Sequence, residues 1–396
     1  MNSTSHGPGD SGAASVSGLH PRVALAHCQV DSVVTASGRM IRCESPSADL
    51  AAVSRSASCV AEVGEEILGL PPERIEIDGC THLLWRFGST PPRVLVLGHH
   101  DTVWPLGTIE EIPFEDGDQV RGPGSLDMKV GLALAFHAVA SLADPSGVTV
   151  LVTGDEEVSS PTSRDLILRT AEGCMAVLVL EAGDDSGALK TERKGRAHYV
   201  MTFKGRAAHA GLEPHRGANA LLALSDVVRV ATATADTNAG TTVTPTLASA
   251  GTAGNTVPDR ADLTIDIRAR TMAELVRVDT ALRAHEPAVA GVTIEIAGGI
   301  DRPPLETEMT RSLFERAGVV ADGLGIGPLT SAAVGGGSDG NLTAAAGLPT
   351  LDGLGAVGGG AHARHEWVDR SRLGDRLALL TGLIDDLLVA SAEGAR

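Results

Sequence analysis

The amino-acid sequence predicts an α/β protein, in which a doubly wound, mostly parallel sheet forms the catalytic domain and a ferredoxin-like α+β domain is inserted into it. Three observations carry this. Short apolar runs at Val94–Leu97, Val148–Val152 and Ala176–Leu180 each end in polar residues, and helical segments separate them. The texture changes near residue 195 and the first pattern returns after residue 303. The length, 396 residues, exceeds what one core normally serves.

Residues 1–20 are rich in Gly, Ser and His, lack the basic start and apolar stretch of a secretory signal, and read as a disordered tail. Two amphipathic helices are expected at about 21–36 and 47–68. From Met128 to Leu142 the apolar positions recur at helical spacing, which places a helix between the first two strands. The insert, 195–302, reads as strand 198–205, helix 217–236, strands 241–250 and 255–270, helix 272–286 and strand 292–298. That is a βαββαβ order. The catalytic domain is then 21–194 plus 303–396, closed by a helix at about 371–390.

Composition excludes some functions. With 50 acidic and 32 basic residues the net charge is −18, which argues against a nucleic-acid partner. No apolar run reaches the roughly 18 residues of a membrane span. Five scattered cysteines without CxxC spacing fit reduced thiols in a cytoplasmic protein.

Five polar clusters fall at predicted strand ends or helix starts, where sheets of this class bind ligands. GHHDTVWP follows the first strand, and its His99 and Asp101 can face one side. A histidine whose second ring nitrogen meets a carboxylate is a common metal-ligand arrangement. GPGSLDMKVG puts Asp127 at a helix start, where it could equally be an N-cap. VTGDEEV ends the second strand with three successive acids, Asp155, Glu156 and Glu157, whose repulsion a cation would offset. Glu181 ends the third strand, and GAHARHEWV brings His362 and His365 near the C-terminus. Two histidines and three carboxylates suit two divalent ions sharing one carboxylate, with a further glutamate left as base.

The ordered set HxD, GxxDMKxG, GDEE, EAG and HxxxE resembles the M20 metallopeptidase family, in its glutamate carboxypeptidase branch, from about residue 93 to 390. The resemblance implies two zinc ions per chain, with cobalt or manganese as substitutes. His99 and Glu181 would hold one ion, Glu157 and His362 the other, and Asp127 would bridge them. Asp101 would orient His99, Glu156 would be the general base, and the Asp127–Met128 peptide would be cis. In the insert, GRAAHAG resembles the family's lid motif, which implies that His209 stabilises the oxyanion, delivered by lid closure or by the partner subunit of a homodimer formed through the lid. Asn255 and Arg268 resemble lid residues that meet substrate. Arg302 resembles the residue that grips the substrate α-carboxylate. GGGSDG, with Gly337 and Ser338, resembles a loop that contacts substrate. The sequence departs from the glutamate-selective pattern at Ala188, where a lysine stands in that branch. Lys190 is two residues away.

The expected activity is hydrolysis of an amide next to a free carboxylate in a small peptide, releasing the C-terminal amino acid, glutamate in that branch. An N-acyl-amino-acid deacylase would use the same machinery. GGSDG also fits the GxSxG pattern of a serine hydrolase with Ser338 as nucleophile, although a weak strand and a run of glycines precede it. An inactive binding homologue is a further alternative, against which stands the presence of every implied ligand and of Glu156.

Overall fold

A computed structural model describes residues 19–88 and 91–394, so the tail expected at the N-terminus lies almost wholly outside the described residues. The central sheet has six strands in the order Glu73–Ile77, Cys80–Arg86, Val148–Thr153, Val94–His99, Ala176–Val179, Thr350–Leu351. The last four run parallel. Every residue of Val94–His99, Val148–Thr153 and Ala176–Val179 is buried. Their unbroken apolar runs reflect a sheet covered on both faces.

The sheet is mostly parallel, as expected, and an antiparallel hairpin is added at one edge. Its turn is Asp78-Gly79, both with positive φ (49° and 82°), as a two-residue type I′ hairpin requires. The Asp-Gly pair was the available signal for it.

One face of the sheet packs on Val130–Ala140, which has almost no polar side because Val30–Arg42, Leu50–Leu68 and Leu373–Gly394 enclose it. The expected first helix is broken in two, Pro21–Cys28 and Val30–Arg42. Asp49 starts the Leu50–Leu68 helix by accepting the Ala52 N–H at 2.9 Å, and left-handed Gly69 ends it. The second face packs on Arg164–Ala171 and Gly340–Ala345.

The insert folds as a separate antiparallel sheet in the order Thr242–Ala250, Arg260–Ala269, Gly195–Lys204, Thr293–Arg302. This is the ferredoxin-like order. Burial alternates along Gly195–Lys204 and Arg260–Ala269, so one face is apolar. Helices Ala220–Ala233 and Met272–Arg283 cover that face around Tyr199, Phe203, Ile265 and Leu275. Among the described residues no helix is long and apolar enough to cross a membrane. All five cysteines are free.

Candidate metal centre and active site

Three parallel strands and the loops after them place the polar clusters side by side. His99 ends the central strand, Glu156 and Glu157 follow Val148–Thr153, and Glu181 follows Ala176–Val179. Asp127 lies before the Val130–Ala140 helix, and the Asp127–Met128 peptide is cis. His362 comes from the loop after Gly358–Gly359, with a φ of 61° that is unusual outside glycine.

Asp127 stands at the centre. Its Oδ1 is 3.2 Å from His99 Nε2 and its Oδ2 is 3.2 Å from His362 Nε2. His99 Nε2 also lies 3.5 Å from Glu181 Oε1, and His362 Nε2 lies 3.2 Å from Glu157 Oε2. Two groups of potential ligands result: His99 with Glu156 and Glu181, and Asp127 with Glu157 and His362. Glu157 Oε1 is buried without a hydrogen-bond partner. An orphaned carboxylate oxygen among nitrogen and oxygen donors fits a divalent cation of the zinc type.

The electrostatics agree. His362 is pushed up to about 10 by hydrogen bonds to Asp127 and Glu157. Burial disfavours a charged His99, yet contacts with Asp101, Asp127 and Glu181 outweigh it and hold the imidazole well above its usual range. Burial also raises Glu156, and the neighbouring Asp339 adds to the rise, so this carboxyl has a strong hold on a proton. Asp127 is displaced the other way, since the two histidines more than offset its burial.

The three acids of VTGDEEV diverge. Asp155 turns inward and accepts from Thr162 N–H, the Thr162 and Ser163 hydroxyls and Ser163 N–H. His82, beside it, accepts the Gly154 N–H at 3.2 Å and meets the Thr162 hydroxyl at 3.0 Å. Cys80, His82 and Asp155 also lie within ligand distance of one another, but with both imidazole nitrogens and both carboxylate oxygens engaged they form a turn-fixing network. Glu156 points to Arg302 and Glu157 to His362.

Asp101 is fully buried and anchors this turn as well as His99. Its Oδ1 is 3.4 Å from His99 Nδ1 and accepts the Glu156 N–H at 3.2 Å, while Oδ2 accepts the Glu157 N–H at 3.2 Å and the Ser47 hydroxyl at 2.6 Å.

Two buried residues near the ligands had no assigned role in the sequence. Glu366 accepts four N–H groups, from Trp104 Nε1 and the backbone of Gly124, Leu126 and Asp127, and so shapes the loop that carries Asp127. Arg193 ties Glu181 Oε2, at 3.3 Å, to Asp352, at 2.7 Å, and to the carbonyls of Gly336 and Gly337. Glu366 is the single carboxylate of the HxxxE cluster, which was a sequence signal for it, whereas Arg193 had none.

A cavity of about 240 Å³ opens beside the ligands, lined by Glu156, Glu157, Lys194, Arg268, Gly337 and His362, with Arg196 and Arg302 among its further walls. Arg302 is buried, and its guanidinium lies 3.4 Å from Glu156 Oε1, 3.3 Å from Asp339 and 3.0 Å from the Ser160 hydroxyl. Ser338, expected at the substrate, is instead fully buried: its hydroxyl donates to Asp352 at 2.5 Å, which fixes the loop and leaves it unfit as a nucleophile. His209 and Asn255 are exposed on the lid and lie beside each other, the Asn255 carbonyl accepting the Ala210 N–H at 2.8 Å, but neither is among the described residues lining the cavity. Ala188 is buried, and Lys190 also does not line the cavity among the described residues. His365 is exposed, outside both ligand groups.

Comparison with known proteins agrees with this geometry. Residues 95–386 match the model of peptidase family M20/M25/M40. The chain is 31% identical over 348 residues to carboxypeptidase G2 of Pseudomonas sp. (strain RS-16), covering 85% of this chain and 80% of that protein. It is 29% identical over 288 residues to a putative succinyl-diaminopimelate desuccinylase of Mycobacterium tuberculosis (strain ATCC 25618 / H37Rv), covering 68% of this chain and 79% of that one. Among solved structures, aminopeptidase PepT from Bacillus cereus ATCC 10987 superposes with a TM-score of 0.72 at 19% identity, over 91% of this chain and 99% of that one. The M20 family metallo-carboxypeptidase Sso-CP2 from Sulfolobus solfataricus does so with a TM-score of 0.69 at 16% identity, over 91% and 99%.

Proposed function

This chain belongs to peptidase family M20/M25/M40 and is a metal-dependent hydrolase, and we propose that it is a di-zinc carboxypeptidase, cleaving an amide next to a free carboxylate in a small peptide and releasing the C-terminal amino acid. One observation carries the reading: Asp127 presents one oxygen to His99 and the other to His362, each at 3.2 Å, as a carboxylate shared between two ions must.

His99, Glu181 and Asp127 would hold one ion, and Asp127, Glu157 and His362 the other. Bound there, a metal pair polarises a carbonyl and makes water acidic near neutral pH. The remaining work falls to the chain. Glu156, with its raised proton affinity, accepts the proton of the attacking water and returns it to the leaving nitrogen. Asp101 holds His99 and the Glu156–Glu157 backbone in place. Arg302 or Arg268 reads the substrate carboxylate.

His209 serves the oxyanion only when lid closure or a second subunit brings it to the site. The exposed Leu212, Leu222 and Leu247 on the lid support a homodimer through this domain. The five free thiols suit a reducing, cytoplasmic setting. A second reading, an N-acyl-amino-acid deacylase, is supported by the desuccinylase relatives. Glutamate as the released residue rests on the resemblance of the sequence motifs to the family's glutamate carboxypeptidase branch, and the likeness to carboxypeptidase G2 supports a carboxypeptidase.

The test is elemental analysis of protein purified without chelator, joined to assays on dipeptides and acylated amino acids. About two zinc ions per chain, and activity abolished by chelator and restored by zinc, are expected. Full activity in metal-free protein would refute the reading.

A further inference from the structure

We propose that Arg372 and Arg376 form an anion site separate from the substrate cavity, and that it takes a phosphate group. A cavity of about 300 Å³ is lined by both arginines and by Gly187, Ile326, Leu329 and Leu379, among others. Among the described residues it shares none of its walls with the cavity beside the metal ligands.

Arg376 is buried, and backbone carbonyls rather than a carboxylate receive it. Its Nε donates to the Gly355 carbonyl at 2.8 Å, its Nη1 to that of Gly187 at 3.3 Å and its Nη2 to that of Gly353. Three of its five N–H groups are thereby engaged. Arg372 stands just before the same helix, Leu373–Gly394, and reaches the same glycine: its Nη2 lies 3.1 Å from where a Cβ on Gly187 would stand. Two guanidinium groups thus meet at one backbone position in the cavity wall.

Neither guanidinium forms an ion pair among the described residues. Asp375, the carboxylate in the cavity wall, is instead 2.9 Å from His27 Nε2. Burial, and then the charge of Arg372, weaken the hold of Arg376 on its proton, to about 10. A buried charge without a partner is costly, and a like charge beside it adds to the cost. With 50 acidic residues in the chain a carboxylate partner was within reach of the composition, yet none is placed there. A bound anion offsets both charges at once.

A phosphate group is the anion that fits. It carries a charge of about −1.5 to −2 near neutral pH, which answers two guanidinium groups where a carboxylate answers one, and its oxygens match their planar forks. Ile326, Leu329 and Leu379 give the rest of the cavity an apolar wall, which suits the organic part of a small phosphate monoester; inorganic phosphate uses the arginines alone. The site also reaches the metal centre through the backbone. The 353–355 turn that Arg376 holds donates the Gly355 N–H to the Glu181 carbonyl at 2.8 Å. Asp352, just before it, pairs with Arg193, which meets the Glu181 carboxylate. An anion that draws on Arg376 therefore acts on the turn that supports Glu181.

Calorimetry on zinc-loaded protein freed of excess metal tests this, with inorganic phosphate and phenyl phosphate as probes and with wild type, Arg372→Lys and Arg372→Gln. Arg372 is exposed, so both variants should keep the fold. Wild type is expected to bind a probe, with affinity falling roughly 10- to 100-fold in Arg372→Gln, the range for a hydrogen bond to a charged group, and in part retained in Arg372→Lys. Tighter binding of phenyl phosphate assigns the site to monoesters, and equal binding assigns it to the inorganic ion. Anion held by the metal ions is the part that Arg372→Gln retains. If that variant retains all of the binding, or if wild type binds neither probe, the proposal is overturned. The calorimetry reads no turnover and so does not depend on the hydrolase reading. Zinc release to a chelator should also slow when the probe is added to wild type, and slow less in Arg372→Gln. No slowing in wild type, or slowing of the same size in both, overturns the link to Glu181.

Discussion

Glu366 accepts the backbone N–H of Asp127 at 3.1 Å, so the residue whose carboxylate lies between His99 and His362 is held by a second, buried carboxylate. The same side chain accepts the N–H groups of Gly124 and Leu126 and the Trp104 indole. Removing it strands several buried donors at once, each costing about 1–3 kcal/mol. Glu366→Ala should therefore lose stability by about 3 kcal/mol and lower metal occupancy. Denaturant unfolding and metal analysis of the variant check this. Wild-type stability and two bound metals would show that the loop holds its own shape.

Glu156 and Glu157 are adjacent in sequence but diverge, one toward Arg302 and the other toward His362. Glu156 also lies within ligand distance of His99 and Glu181, so its role as base rather than ligand needs a direct test. Glu156→Gln should keep fold and metal content while turnover falls by roughly 10²- to 10⁴-fold, the usual range for loss of a general base. Glu157→Ala should lose metal first. Metal analysis beside steady-state kinetics reads both. The reverse pattern would exchange the two roles.

Much of this was legible because the parallel strands are buried on both faces. Val94–His99, Val148–Thr153 and Ala176–Val179 stand out as apolar runs, and the acids and histidines that follow each are conspicuous against them. The insert was legible through the strict alternation of Gly195–Lys204. Glu366 and Arg193 were not, since their partners are distant in sequence: Leu126 N–H lies 240 positions from Glu366, and Asp352 lies 159 from Arg193. Ser338 misled for a related reason. Its glycine-rich surroundings suggest an open loop, yet Asp352, which captures its hydroxyl, enters from the next strand.

His209 poses a question of delivery. It is exposed on the lid, its Nδ1 accepting the Gly211 and Leu212 N–H groups at 3.1 Å. If a homodimer exchanges this residue between subunits, inactive His209→Ala and inactive Glu156→Gln should complement each other. Random mixing makes half the dimers mixed, and each has one complete site, so about a quarter of wild-type activity is expected after subunit exchange. No recovery in mixed dimers verified by mass would place His209 in its own subunit's site, reached by lid closure.

His137 contributes to the pH dependence of folding with a definite sign. It is buried in the Val130–Ala140 helix, with Nδ1 2.8 Å from the Ala133 carbonyl and Nε2 2.9 Å from the Ser32 hydroxyl. Burial lowers its pKa below the usual 6.5. Above that value the imidazole is neutral in both states and stability is complete. As the pH falls through about 6.5 the unfolded chain takes a proton that the folded chain still refuses, so folding weakens until the depressed folded value is reached. His82 and His100 are shifted in the same direction, His100 to about 4. His99, His362 and Glu366 are shifted upward and act in the opposite sense, so the contribution of His137 is read as the difference between wild type and a non-titrating variant in the change of urea midpoint from about pH 7.5 to about pH 5. His137→Gln keeps a donor for the Ala133 carbonyl but cannot titrate, so on going to acid its midpoint should fall less, or rise more, than that of wild type. An equal shift in variant and wild type would mean that His137 takes its proton as readily inside the fold as outside it.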